Sequence, residues 1–167
     1  MKLSLKKLLL CLFLLLTMGL LSAGDLYVTP AEELVYRFRT QSGKVCAIAM
    51  EKSGAYLVYR YGTEDNVELQ FPESLEKSWD LFTYEWEARG AANLGFTYDS
   101  VIFINKGYEY TVYYCDYFSD EEISTCIEIK SPEGKLIRIE GLPSSVQGDI
   151  TQLKKGKYPL RVVKPDY

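Results

Sequence analysis

The sequence predicts an all-β domain, and two observations carry that prediction. Short segments rich in Tyr, Val, Ile and Phe follow one another between residues 34 and 141, and turn residues separate them. Several of these segments alternate apolar and polar side chains, which is the two-residue period of a half-buried strand. We therefore expect a single antiparallel meander of about eight or nine strands, closed as a barrel or folded as a sandwich, with one or two short helical turns.

Turn residues separate the first four predicted strands. Gly43 and Gly54 lie in the turns that follow the first and second strands, because glycine adopts the backbone conformations that tight turns need. A polar segment, residues 62–66, ends the third strand. The fourth strand alternates cleanly and stops at Pro72, which has no backbone N–H to donate to a sheet.

Aromatic residues and a second set of turns define the later strands. Phe82, Tyr84 and Trp86 lie on one face of the fifth strand, and polar groups occupy the other face. Gly107 supplies the positive φ for a hairpin turn at residues 105–107. The nine predicted strands are residues 34–39, 45–50, 56–61, 67–71, 82–87, 96–104, 108–115, 126–130 and 136–140.

Residues 1–24 have the pattern of a cleaved export signal. Three lysines precede an apolar run at residues 8–21, and small residues follow the run. We expect cleavage after Ala23 or Gly24, and no lipid anchor, because no cysteine follows the small residues. The apolar run is shorter than the roughly 20 residues of a membrane-spanning helix, which favours a cleaved signal over the alternative of an uncleaved membrane anchor. We expect no membrane span after cleavage.

The rest of the chain divides into a β-domain at residues 25–141 and a C-terminal segment at residues 142–167. A short helix at residues 149–155 and an extended tail are expected in that segment. We expect the protein in the periplasm or outside the cell. Loss of the leader's lysines would take the net charge from −4 to −7, which disfavours nucleic acid as a partner and favours a cationic protein.

Three cysteines lie beyond the leader, and strand parity predicts their state. Cys115 and Cys126 fall on outward faces of consecutive strands, so a disulfide between them is expected if their Cα atoms come within about 7 Å. Cys46 shares a face with Ile48 and Met50, which predicts a buried free thiol. A bond that involves Cys46 is the alternative.

The sequence offers little catalytic chemistry. It contains no histidine, which removes the common nucleophile–base pairs and histidine metal sites, and we expect neither cofactor nor metal. The acidic loop at residues 116–122 lacks the regular spacing of calcium ligands. Glu85 and Glu87 lie on one strand face and suggest the alternative of a carboxylate-dependent glycan hydrolase.

One set of segments resembles a family of small exported bacterial proteins without an assigned activity. The resemblance rests on Tyr59-Arg60-Tyr61-Gly62, on residues 67–72 and on residues 107–113, and it covers roughly residues 34–140. It implies an exported β-domain and offers no site residues.

Two shorter motifs are similar to motifs of periplasmic inhibitors of c-type lysozyme, which are small β-barrels. They are Ser53-Gly54-Ala55-Tyr56 and residues 103–107, which contain Lys106. That family inserts a Ser-Gly-x-x-Tyr loop into the lysozyme cleft. In this chain the tyrosine comes one residue early, and the Lys-Gly element lies much farther downstream.

We therefore expect a non-enzymatic binding protein of the bacterial envelope, in its most specific form a lysozyme-inhibitor-like protein. Its partner would be a protein or a glycan. The candidate binding residues are Ser53, Tyr56, Lys106 and Tyr113, the last because tyrosines form either the core or an aromatic binding face. A structural component of the envelope is a further alternative.

Overall fold

The computed structural model describes residues 25–90, 95–118, 122–155 and 157–164 of the protein. Within these ranges the chain forms eleven strands and three short 3₁₀ turns, which confirms the all-β prediction. The predicted leader lies outside the described residues. The strands are β1 (Glu32–Arg39), β2 (Val45–Glu51), β3 (Leu57–Thr63), β4 (Asn66–Phe71), β5 (Phe82–Arg89), β6 (Phe96–Asn105), β7 (Tyr108–Tyr117), β8 (Glu122–Lys130), β9 (Leu136–Glu140), β10 (Gln147–Gly148) and β11 (Arg161–Val163). The 3₁₀ turns are η1 (Ser78–Leu81), η2 (Pro143–Ser145) and η3 (Ile150–Lys155).

The strands form two sheets that pack as a sandwich. The five-stranded sheet has the order β10-β1-β2-β3-β4, and the six-stranded sheet has the order β11-β5-β6-β7-β8-β9. The predicted meander is therefore divided by the connection between β4 and β5, and the described strands do not close into a barrel. β11 pairs with β5 in parallel, whereas the other described strand pairs are antiparallel.

The C-terminal segment is part of both sheets. β10 pairs with β1, and β11 pairs with β5, so the segment that was expected to end in an extended tail contributes an edge strand to each sheet. The expected short helix is η3, whose residues Ile150 and Leu153 are buried. Residues 165–167 lie outside the described part of the chain.

Aromatic rings fill the space between the sheets. Phe103 lies at the centre, with ring centroids 4.9 Å from Tyr59, 4.5 Å from Phe71 and 4.9 Å from Tyr110. Tyr84 is fully buried, as the alternation of β5 predicted. These rings bury a large apolar area each, which stabilises the contact between the sheets.

The segment that precedes β1 covers the outer face of the five-stranded sheet. Tyr27 is buried against Val45 and Ala47, and its hydroxyl donates a hydrogen bond to the Thr63 carbonyl at 2.5 Å. The guanidinium of Arg37 lies 5.4 Å from the centre of the Tyr27 ring. This sheet therefore has a second small core on its outer side.

A buried ion pair attaches that segment to the sheet. Arg60 on β3 donates from Nη1 to Glu32 Oε2 at 2.7 Å and from Nη2 to Glu32 Oε1 at 2.8 Å. Nη1 also donates to the Tyr27 carbonyl at 2.9 Å, and Nε donates to Gln70 Oε1 at 2.9 Å. The Glu32 side chain is fully buried, so both charges depend on this network for the hydrogen bonds that water would otherwise supply.

The two sheets also meet at a corner that only glycine fits. Thr40, at the end of β1, forms a bridge with Gly141, which follows β9. A Cβ atom on Gly141 would lie 2.5 Å from Thr125 Cγ2 and 2.6 Å from Phe38 Cδ2. Because those neighbours are buried, a larger residue at this corner would have to displace the core.

We expect Arg60→Met to lower the free energy of unfolding by about 3–5 kcal/mol, because it leaves the buried Glu32 carboxylate without its counter-ion. Arg39→Met is the matched control, since Arg39 pairs with Glu64 on the surface and should cost about 1 kcal/mol or less. Urea denaturation of both variants checks this. Equal effects of the two substitutions would contradict the role assigned to the buried pair.

The Glu32 carboxylate should also make stability depend on pH. Burial raises its pKa, but hydrogen bonds from Arg60, Thr29 and Tyr56 outweigh that effect and lower the pKa from 4.5 to about 2. A lowered pKa in the folded state stabilises the protein above pH 4.5, and that contribution is lost as the pH falls from 4.5 towards 2. The slope of unfolding free energy against pH in this window should be shallower in Glu32→Gln, and an unchanged slope would contradict the assignment.

Candidate functional site

An open groove of 460 Å³ lies on the outer face of the six-stranded sheet, where β5 begins and β6 ends. Phe82 and Tyr84 of β5 point into the core. Strand alternation therefore turns Thr83 and Glu85 outward, and both line the groove. β11 forms one wall, because its parallel register places Arg161 beside Thr83.

The groove has an apolar part that is open to solvent. Ile102, Ile104 and Val163 line it from the sheet, and Leu81 lines it from η1. Ile104 is 63% exposed and Leu81 is 48% exposed. Exposed apolar side chains that gather at one concave place are typical of a binding site.

The charged part of the groove is mainly acidic. Asp80, Glu85 and Glu109 line it, and Arg161 is the basic residue among the described lining residues. None of these four side chains forms an ion pair within the described part of the chain, although Lys130 lies opposite Glu109 in the β7–β8 register. Among the described lining residues three carboxylates thus outnumber one guanidinium, and Lys106 and Lys130 are the nearby basic residues on β6–β8.

Lys106 borders this groove, unlike the other three predicted binding residues. It lies in the turn between β6 and β7 with φ 51°, next to Gly107 with φ 83°, so the predicted hairpin turn is confirmed. Ile104 and Glu109, on the two sides of the turn, both line the groove. The exposed Lys106 side chain therefore stands at one end of the groove.

Ser53 and Tyr56 lie in the turn between β2 and β3 and are engaged with their own chain. The Ser53 backbone N–H donates to Glu51 Oε2 at 2.7 Å, and the Ser53 hydroxyl bonds the same oxygen. The Tyr56 hydroxyl donates to Glu32 Oε1 at 3.0 Å, beside the buried ion pair. Tyr56 therefore stabilises the ion pair through Glu32. Of the two residues, Ser53 is exposed and Tyr56 is half-buried.

This turn lies at the same end of the sandwich as the groove. Trp79 of η1 donates from Nε1 to the Gly54 carbonyl at 3.0 Å, and η1 also carries Leu81 into the groove. Ser53 and Lys106 thus share one end of the molecule, although they belong to different sheets.

Tyr113 lies in the middle of the outer face of the six-stranded sheet, but it is only 6% exposed. Its ring packs 5.3 Å from that of Tyr98, and its hydroxyl accepts a hydrogen bond from Arg138. Burial raises the pKa of Tyr113 to about 12. The side chain covers Cys126 and is therefore part of a small outer core instead of an open aromatic surface.

The predicted disulfide between Cys115 and Cys126 is not present, and both residues are free and buried. They share an outer face, as parity indicated, but the β7–β8 register places Cys115 opposite Ser124 and Cys126 opposite Tyr113. The two cysteines are thus diagonal neighbours, whose Cα atoms are typically about 7–8 Å apart, beyond the usual range for a disulfide. Cys46 is a buried free thiol, as predicted.

Glu85 and Glu87 do not both line the groove. Glu85 lines the groove, whereas Glu87 accepts a hydrogen bond from Arg89 Nε at 2.6 Å and is not among the lining residues. Two carboxylates that face one bound sugar are the requirement for glycoside hydrolysis. The groove presents Glu85 with Asp80 and Glu109 instead.

One feature of the sequence could have predicted the groove, namely an interruption of the alternation in β6. Residues 101–104 form a continuous apolar run in β6. Val101 and Phe103 are buried in the core, so the intervening residues, Ile102 and Ile104, have to lie on the outer face. An apolar run on an otherwise alternating strand indicates that both faces of the strand are covered or bind something.

No group of three or more His, Cys, Asp or Glu side chains within the described ranges is arranged to hold a metal ion. Residues 119–121 of the acidic loop lie outside those ranges. No helix of the described chain is long and apolar enough to cross a membrane.

Comparisons of this chain with models of protein families, with curated proteins and with solved structures found no match.

We expect protein that begins at Asp25 and is prepared without reductant to show three thiols per chain when it is denatured, because Cys46, Cys115 and Cys126 are all free. The same thiols should react slowly in the native state, since all three are buried and burial raises the pKa of each. Titration with a chromogenic disulfide reagent checks both points. A single thiol after denaturation would show that a disulfide forms.

Proposed function

We propose that the protein is an exported, non-enzymatic binding protein of the bacterial envelope or the extracellular space, and that the groove of the six-stranded sheet binds a cationic protein. The proposal rests on the groove, in which the unpaired carboxylates of Asp80, Glu85 and Glu109 lie beside exposed Ile104 and Leu81. Such a surface suits a partner segment that carries lysine or arginine next to apolar side chains.

The charge of the whole chain supports the same class of partner. The sequence has a net charge of −4, and removal of the leader would make it −7. A long-range negative potential accelerates encounter with a positively charged protein and disfavours anionic surfaces. A c-type lysozyme is the concrete partner to test, because it is a cationic protein that acts on the bacterial envelope.

The groove also changes which residues are expected to bind. The resemblance to lysozyme inhibitors implied the Ser53–Tyr56 turn, but Tyr56 is held by Glu32 and supports the fold. We assign the contact surface to the acidic and apolar lining of the groove, with Lys106 and Ser53 as neighbours at the same end of the sandwich.

A carboxylate-dependent hydrolase is supported less well. Its proposed partner carboxylate, Glu87, is paired with Arg89 outside the groove.

The test is binding of the purified protein to c-type lysozyme by calorimetry at low ionic strength, with inhibition of lysozyme as a second readout. We expect Glu85→Gln combined with Glu109→Gln to weaken binding about tenfold, which corresponds to about 0.7 kcal/mol for each lost charge. Asp65→Asn is the control, because Asp65 is exposed in the β3–β4 turn and does not line the groove.

Two further measurements separate the contribution of charge to binding from that of apolar contact. Lysozyme whose lysines are acetylated loses positive charge and should bind much more weakly. Ile104→Ser should weaken binding to both forms, because it removes apolar contact area from the groove. The assignment of the groove would be overturned if the double variant bound lysozyme as well as Asp65→Asn does. Absence of binding to lysozyme would overturn lysozyme as the partner.

A further inference from the structure

A second, smaller pocket of 210 Å³ opens between the two sheets, away from the groove. Tyr36 of β1 and Tyr114 of β7 form two of its walls, and residues 146–151 close it from the C-terminal segment. Tyr114 pairs with Asp99, towards the opposite end of β6 from Ile104, so this pocket and the groove are separate sites.

The walls of the pocket are aromatic and aliphatic. The rings of Tyr36 and Tyr114 meet edge to face, with centroids 6.4 Å apart and planes at 81°. The Tyr36 hydroxyl is already paired with Thr125 Oγ1 at 2.8 Å, so the ring and not the hydroxyl faces a ligand. Val146 and Ile150 complete an apolar lining.

One carboxylate lines the pocket, and a second lies next to the Tyr114 wall. Asp149 lines the pocket at an exposed position, and its Oδ1 accepts hydrogen bonds from the Thr151 backbone N–H at 2.9 Å and the Thr151 hydroxyl at 2.6 Å. Its Oδ2 accepts no hydrogen bond from the described residues. Asp99, only 4% exposed, is the cross-strand neighbour of Tyr114 and accepts a hydrogen bond from the Tyr84 hydroxyl. Burial, together with Asp116, Asp99 and Asp149, raises the pKa of Tyr114.

A lysine of the chain shows which chemical group suits this environment. The ammonium of Lys154 lies 3.2 Å from the centre of the Trp86 ring. Burial raises the pKa of the nearby Asp99, and the hydrogen bond from Tyr84 and the charge of Lys154 oppose that rise. Trp86 and Tyr114 are the two cross-strand neighbours of Asp99. The Lys154 ammonium thus lies among aromatic and acidic groups on the Trp86 side of Asp99. On the Tyr114 side, no basic residue is among the described residues that line the pocket.

We propose that this pocket binds a linear primary alkylammonium group. The methylene chain would pack against Val146, Ile150 and the tyrosine rings, and the ammonium would be held by the free oxygen of Asp149 and by the face of an aromatic ring. A pocket of 210 Å³ takes a short chain and excludes a folded partner. The ligand is therefore either a free small amine or the side chain of a lysine.

The test measures binding of n-butylammonium to the purified protein by NMR titration, with 1-butanol as the neutral molecule of the same shape. We expect butylammonium to bind about tenfold more tightly than butanol, since only the cation gains from Asp149 and the rings. Asp149→Asn keeps the Oδ1 acceptor for Thr151 and removes the charge, so it should weaken butylammonium binding about tenfold. Asp65→Asn, in an exposed turn elsewhere, should change it by less than about twofold.

A second pair of variants tests the pocket independently in case Asp149→Asn does not fold. Tyr114→Phe keeps the ring and should retain binding, whereas Tyr114→Leu removes the ring and should weaken binding. Putrescine and a lysine blocked at both ends then distinguish a free amine from a lysine side chain. Equal affinity for butylammonium and butanol, no effect of Asp149→Asn in a folded protein, or no saturable binding of butylammonium would each overturn the proposal.

Discussion

The buried pair between Arg60 and Glu32 determines which surfaces of this sandwich are available to a partner. The guanidinium joins β3 both to the start of β1 and to the Tyr27 carbonyl of the preceding segment. Tyr27 then covers Val45 and Ala47 on the outside of the five-stranded sheet. The chain itself therefore covers the part of that face around β2, whereas the groove leaves part of the outer face of the six-stranded sheet open.

The outer face of the six-stranded sheet is itself divided into two parts. From the middle of β6 and β7 towards the end at Phe96, Tyr98, Tyr113 and Arg138 cover the cysteines and form a small closed core. At the other end, Ile102 and Ile104 have no such cover and line the groove. The difference follows from side-chain length, because tyrosine and arginine reach across neighbouring strands whereas isoleucine does not. The closed half stabilises the sheet, and the open half is where we propose that a partner binds.

Alternation along each strand was enough to predict the all-β class and the inward residues, among them Tyr84 and the buried thiol of Cys46. It could not predict register, because a shift of two residues leaves every side chain on its face. That is why Cys115 and Cys126 were assigned to the correct face and to the wrong pairing. The place of β11 beside β5 could not be predicted either, since a three-residue strand has too little pattern and its pairing depends on distant contacts.

The described ion pairs leave the carboxylates of both candidate sites without partners. On the five-stranded sheet the basic side chains are matched with acids in pairs: Arg37–Asp25, Arg39–Glu64, Lys44–Glu68 and Arg60–Glu32. Each pair cancels most of its own field at a distance. The carboxylates of the groove and Asp149 of the pocket have no such partners within the described chain, so their fields reach solvent. At both sites unpaired negative charge lies beside apolar contact area, and a cationic ligand with an apolar portion is the class that can use both.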